Sequence, residues 1–166
     1  MAESKKSQRS TYDRALDMLE ARARAVDELR RLLIKKGEPQ PDVDAAIERL
    51  RAAGILDDAN FARQLARSKA LGAGLSRRRI QLELARRGVA RDVSEQAIED
   101  VFAEERVDED EAIERVARKK LRMLARLDVP TQRRRLFGYL ARRGYDSDDI
   151  TRVVRLLVTD APSADE

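Results

Sequence analysis

Arg79-Ile80-Gln81-Leu82-Glu83-Leu84-Ala85-Arg86-Arg87-Gly88 is the stretch whose reading decides the fold, because it is one of three. Ile80 and Leu84 stand one helical turn apart on a common face, two basic residues follow where the negative end of a helix would lie, and a glycine ends the run. The same grammar closes on Gly37, after Leu29, Leu33 and Lys35-Lys36, and on Gly144, after Leu136, Leu140 and Arg142-Arg143. Beyond each glycine a second apolar pair recurs at a fixed distance: Ile47 and Leu50, Ile98 and Val101, Val154 and Leu157. Glycine there supplies the left-handed residue that stops a helix. A unit of about 50 residues is marginal alone, so its neighbours must stack against it. The repeat therefore predicts an array, with a surface too long for a small-molecule pocket to explain.

Outward from these runs, apolar residues keep helical spacing and nothing alternates as a strand would, so the chain reads as all-α. Three tandem three-helix repeats are expected over 11–56, 57–103 and 104–157, between a disordered basic tail at 1–10 and a disordered acidic tail at 158–166. Helix one runs from about Thr11 to Arg22, helix two from about Ala25 to Lys36, and helix three stops at Gly54. Asp57 suits the N-cap of helix four, with Leu56 and Phe61 as its hydrophobic staple, and Asp58 reads as a second acid favoured by the helix dipole. Gly72-Ala73-Gly74 breaks that helix and reads as a hinge, after which Ser76 caps helix five. Helix six covers about Asp92 to Phe102. Asp108-Glu109-Asp110-Glu111 opens helix seven, and Leu127-Asp128-Val129-Pro130 is a linker before helix eight. Helix nine spans about Ser147 to Leu157.

Composition limits the chemistry. With 40% charged and only 4% aromatic residues, the surface is solvated and poor in bulky anchors. The net charge of +4 is small against 35 basic and 31 acidic residues, so any binding face must come from local clustering. His and Cys are absent, which removes the usual proton shuttle, the thiol nucleophile and the common transition-metal ligands. Asp57 and Asp58 diverge by about 100° on a helix start, too far to act together. The chain offers no convergent acid, base and nucleophile, so neither an enzyme nor a bound cofactor or metal is expected. No run approaches the roughly 18 apolar residues of a membrane span. A soluble, cytoplasmic monomer is expected.

Two arginine clusters break a local rule. Arg77-Arg78-Arg79 and Arg133-Arg134-Arg135 hold the same repeat position, read as the first turn of helices five and eight, where cations oppose the dipole by roughly 0.3 to 1 kcal/mol each. One reading is an anionic partner, a phosphate or carboxylate, met by these arginines and the free N–H groups of the helix start. The other is that the arginines reach into solvent or bind acids of a neighbouring repeat. The dibasic pairs Lys35-Lys36, Arg86-Arg87 and Arg142-Arg143 are second candidates, since cations belong at helix ends in any case.

Several runs also resemble the RecX family, regulators of the RecA recombinase: Arg24-Ala25-Val26-Asp27-Glu28-Leu29-Arg30-Arg31, Lys36-Gly37, and above all Gly54-Ile55-Leu56-Asp57-Asp58-Ala59-Asn60-Phe61-Ala62. Arg67-Ser68-Lys69, Arg87-Gly88-Val89 and Arg142-Arg143-Gly144-Tyr145 extend the likeness over about Tyr12 to Leu157. Three positions depart from it: Ala25 where the family often has a capping Ser, Glu38 where an apolar residue commonly follows the glycine, and Leu75 where Pro often stands. The resemblance implies a curved, elongated array that lies in the groove of the RecA filament on DNA and bridges protomers. It would thereby restrain ATP hydrolysis, strand exchange, filament growth and the SOS response. The alternative is a DNA-binding protein that competes for DNA. The arginines of the two clusters and the three dibasic pairs are the expected contacts to filament or DNA.

Overall fold

The computed structural model describes residues 9–158, so nearly all of the two expected tails lies outside the described residues. Those residues form nine α-helices and no strand: α1 (Thr11–Ala21), α2 (Val26–Lys35), α3 (Gln40–Ala52), α4 (Asp58–Arg67), α5 (Arg77–Arg86), α6 (Arg91–Glu104), α7 (Glu109–Leu124), α8 (Val129–Arg142) and α9 (Ser147–Leu157). Every substantial helix–helix contact joins members of the same trio, α1–α3, α4–α6 or α7–α9, and each trio has a core of its own. This is a tandem array of three-helix repeats, as the glycine grammar predicts.

Local chemistry places the helix ends. Ser10 accepts from the Asp13 N–H while Asp13 accepts from the Ser10 N–H, a reciprocal cap that opens α1. Asp57, Ser76, Asp108, Asp128 and Asp146 open α4, α5, α7, α8 and α9 by accepting backbone N–H groups. The ends of α2, α5 and α8 turn through Gly37, Gly88 and Gly144 at φ +88°, +84° and +86°, conformations in which a Cβ would crowd the following carbonyl. Leu29 and Leu33, Ile80 and Leu84, and Leu136 and Leu140 are fully buried at the centres of their repeats.

Two elements differ from the sequence reading. Helix four does not simply break at Gly72: the chain winds on from Ser68 to Ala73 as a π-helical turn, and only Gly74 is left-handed. Gly74 is buried, and a Cβ there would sit 2.3 Å from Val116 Cγ2 of repeat three, so the segment read as a hinge is packed into the next repeat. The second difference concerns α8. Asp128 accepts the Thr131 N–H at 3.0 Å and Pro130 occupies the first turn, so the helix begins inside the segment read as a linker. Arg133, Arg134 and Arg135 consequently lie beyond the first turn, where the positive end of the dipole has faded.

Candidate functional site

The middle helices α2, α5 and α8 carry most of the basic candidates, and the joints between repeats position them. At the first joint the end of α5 meets the first turn of α2: a Cβ on Gly88 would lie 2.4 Å from Asp27 Cβ, so only glycine allows this approach. Arg31 donates to the Arg86 carbonyl at 3.2 Å, and Arg87 reaches Glu28 at 3.3 Å. Asp58, at the start of α4, accepts the Val26 N–H at 2.8 Å. Ala25 offers α2 no cap of its own, so the next repeat supplies it. Ala25 is itself fully buried in the core of repeat two, beside Phe61. Burial, with Asp27 nearby adding to it, pushes the Asp58 carboxyl above its usual range despite that N–H bond.

The second joint repeats the design with other atoms. A Cβ on Gly144 would lie 2.6 Å from both Arg79 Cβ and Ser76 Oγ. The Ser76 N–H donates to the Arg143 carbonyl at 3.1 Å, Arg143 donates to the Ala73 carbonyl at 3.2 Å, and the Tyr145 hydroxyl donates to the Gly74 carbonyl at 3.0 Å. Glu109, which holds in α7 the place of Asp58 in α4, accepts the Arg77 N–H at 3.0 Å. Burial, helped by Glu109, pushes the Tyr145 phenol up to about 12.

These contacts explain the arginines that oppose a helix dipole. The first turn of α5 is abutted by the negative end of α8, and its N–H groups on Arg77 and Arg79 are taken by Glu109 and Ser76. Two of the N–H groups that an anion would use at the start of α5 are therefore already taken. Arg77 also pairs with Glu109 at 3.5 Å and lies over Phe102 at 4.2 Å, while Arg79 pairs with Glu83 at 3.6 Å. Arg87 and Arg143 face inward too, Arg143 stacking on Tyr139 at 3.8 Å, and Arg133 donates to the Val158 carbonyl at 3.1 Å.

The remaining candidates are exposed: Lys35, Lys36, Arg78, Arg86, Arg134, Arg135 and Arg142. Lys35, Arg86 and Arg142 occupy one repeat position, so each repeat presents a cation at the end of its middle helix. The structure does not gather the candidates into one patch. Arg86 lines an open groove of about 600 Å³ at the first joint with Arg22, Arg31, Arg87, Glu28 and Glu83. Arg134 lines another of about 490 Å³ in repeat three with Arg133, Arg155 and the half-exposed Phe137. In the acidic run that opens α7, Asp108 caps the helix, Glu109 seals a joint and Asp110 pairs with Arg152.

Over residues 12–50, 57–98 and 108–154 the chain matches, in order, the first, second and third three-helix domains of RecX. The chain belongs to the RecX family. Among relatives named Regulatory protein RecX, that of Amycolatopsis mediterranei is 38% identical over 78% of this chain and 72% of its own. That of Mycobacterium avium is 40% identical over 84% and 79%, and that of Pelodictyon phaeoclathratiforme 32% identical over 92% and 90%. The fold matches the crystal structure of RecX from Lactobacillus salivarius with a TM-score of 0.67 at 18% identity, covering 89% of this chain and 94% of that one. A second crystal structure of regulatory protein RecX matches with a TM-score of 0.70 at 20% identity over 86% and 70%. The departures from the RecX pattern now have physical accounts. Ala25 is capped from across the joint, Leu75 packs against the second core, and Glu38, buried after its glycine, accepts from Thr11 Oγ1 and Arg14.

Sequence reasoning missed Asp58 and Glu109 as the acids that seal the joints. Their signal was present: each is an acid near the start of the first helix of its repeat, at equivalent positions.

Proposed function

We propose that this protein is a non-catalytic regulator of RecA that lies along the groove of the RecA–DNA filament, bridges protomers, and suppresses ATP hydrolysis, strand exchange and filament growth. It thereby restrains recombination and the SOS response, acting as a cytoplasmic monomer without a cofactor. The observation that carries this reading is membership of the RecX family across all three repeats, joined to a linear array that offers one exposed cation at the same place in each: Lys35, Arg86 and Arg142. A partner whose own sites repeat can engage such a row at several points, and modest contacts then sum to useful affinity. Lys36, Arg78, Arg134 and Arg135 complete the proposed contact set, whereas Arg77, Arg79, Arg87, Arg133 and Arg143 belong to it only in part, because their guanidinium or backbone groups hold the protein together.

The test is ATP hydrolysis by RecA on saturating single-stranded DNA, titrated with this protein at two salt concentrations, beside its binding to the same DNA alone. Inhibition well below one molecule per RecA protomer, without comparable affinity for bare DNA, supports a filament regulator. Inhibition only in step with DNA coverage, falling steeply between about 50 and 200 mM salt, makes the protein a competitor for DNA.

A further inference from the structure

Each joint uses a half made from the end of a middle helix: a basic residue, a left-handed glycine without a side chain, and the last carbonyls of the helix. A third copy of this half ends α2. A Cβ on Gly37 would meet nothing within 4 Å among the described residues, although its counterparts at Gly88 and Gly144 lie against the first turn of another helix. Lys36 stands where Arg87 stands in repeat two, the arginine that reaches Glu28, and it is exposed. The end of α2 opens onto a groove of about 630 Å³ lined by Arg14, Gly37, Glu38, Pro39, Asp42 and Arg49.

We propose that this end of repeat one is a docking seat for the first turn of an α-helix in a partner protein, with an acidic residue in that turn to meet Lys36. The two occupied copies define what the seat takes. Each receives the first turn of a helix, and in one of them that turn carries Asp27 and Glu28. The negative end of α2 attracts the positive start of a helix, and glycine lets that backbone approach closely. A second copy of this chain cannot simply continue the array through the same joint. The counterpart turn of repeat three, Gln132–Arg135, lies inside α8, where the Gln132 N–H is already bonded to the Asp128 carbonyl. The occupant is taken to be a helix start on another protein, and the inference rests on the reading above in naming that protein as the RecA filament, a second copy being the competing outcome of the test.

The experiment compares the wild-type chain, Gly37→Asn and Lys36→Glu in cosedimentation with RecA filaments on single-stranded DNA and in inhibition of ATP hydrolysis. Asparagine tolerates the left-handed backbone while placing a side chain in the seat. Lys36→Glu changes an exposed residue and guards against any folding defect at Gly37. Both variants should stay folded with at most a small drop in urea midpoint, and require about tenfold more protein for half-inhibition, a loss of about 1.4 kcal/mol. Wild-type inhibition retained in both variants would overturn the seat while leaving the regulator intact. A wild-type dimer that the variants convert to monomers would overturn it by making the occupant a second copy. No binding of the wild-type chain to the filament would remove the proposed function itself, and the seat's named partner with it.

Discussion

Replacing Gly37 and Gly144 by alanine in separate variants isolates what the joints contribute, because the two glycines share a conformation and differ in surroundings. Both sit near φ +87°, at +88° and +86°, so each alanine incurs the left-handed penalty of about 1 to 2 kcal/mol. At Gly37 the new methyl meets nothing within 4 Å among the described residues, and the effect should end there. At Gly144 the methyl would lie 2.6 Å from Arg79 Cβ, and the nearest backbone atom, the Arg79 nitrogen, is 3.1 Å away. Repeat three must then draw back. Withdrawal breaks the bonds from the Ser76 N–H, from Arg143 and from the Tyr145 hydroxyl, three contacts of about 0.5 to 1.5 kcal/mol each. Gly144→Ala should therefore destabilise the chain by about 2.5 to 6.5 kcal/mol, against about 1 to 2 for Gly37→Ala. Urea unfolding followed by far-ultraviolet circular dichroism measures both, and loss of the joint should also split the Gly144→Ala transition, since repeats are coupled only through their interfaces. Equal losses, with one superimposable transition in each variant, would refute the idea that the glycine serves the joint as well as the turn.

The Asp58 carboxyl, raised by burial, holds a proton in the folded state at pH values where the unfolded chain has lost it. Its contribution to stability is therefore complete below the ordinary value of 3.8 and is lost as pH rises through the raised one. Asp58→Asn should remove that slope in urea titrations between about pH 3 and 7; an unchanged slope would mean the carboxyl is not buried at the joint. Tyr145 should titrate near 12 by ultraviolet absorbance, and the stability it holds should fade from the ordinary phenol range of about 10 upwards. Tyr145→Phe should abolish that late step and weaken the second joint by about 1 to 3 kcal/mol, the penalty for leaving the Gly74 carbonyl unpaired. Arg86→Glu and Arg142→Glu should lower stability by no more than about 1 kcal/mol, the dipole term, and weaken filament binding, while Arg87→Glu, placed against Glu28, should lower stability by about 1 to 3 kcal/mol. A reversed order, with the exposed pair destabilising and Arg87 neutral, would count against the division between surface and joint.

The glycine grammar made the helices legible because a left-handed stop and a dibasic helix end are local matters, settled by a few neighbouring residues. The joints were not legible in the same way. Gly88 meets Asp27 and Gly144 meets Arg79, contacts far apart in the chain that no periodicity encodes. Asp58 looked complete as an acid at a positive helix end, and only its position against Ala25 and Val26 shows that it serves another helix. The arginines of α5 looked like a standing electrostatic penalty because the helix was judged alone; the end of α8 and Glu109 supply the opposite charge. Those of α8 were misplaced for a simpler reason. Asp128 can close a linker or open a helix, and with Pro130 two residues on, the second use prevails. The exposed row Lys35, Arg86 and Arg142 was legible by repeat position, but its distinction from Arg87 and Arg143 required coordinates.

Ala25 has a consequence for how the chain is born. A ribosome releases repeat one before the residues that complete it, since the start of α2 has neither a capping side chain nor cover for its alanine until Asp58 and Phe61 have emerged. Synthesis proceeds at about 5 to 20 residues per second, so the start of α2 waits about two to seven seconds for its cap and cover. Repeat one thus matures only when part of its successor is present, and there translation order becomes assembly order.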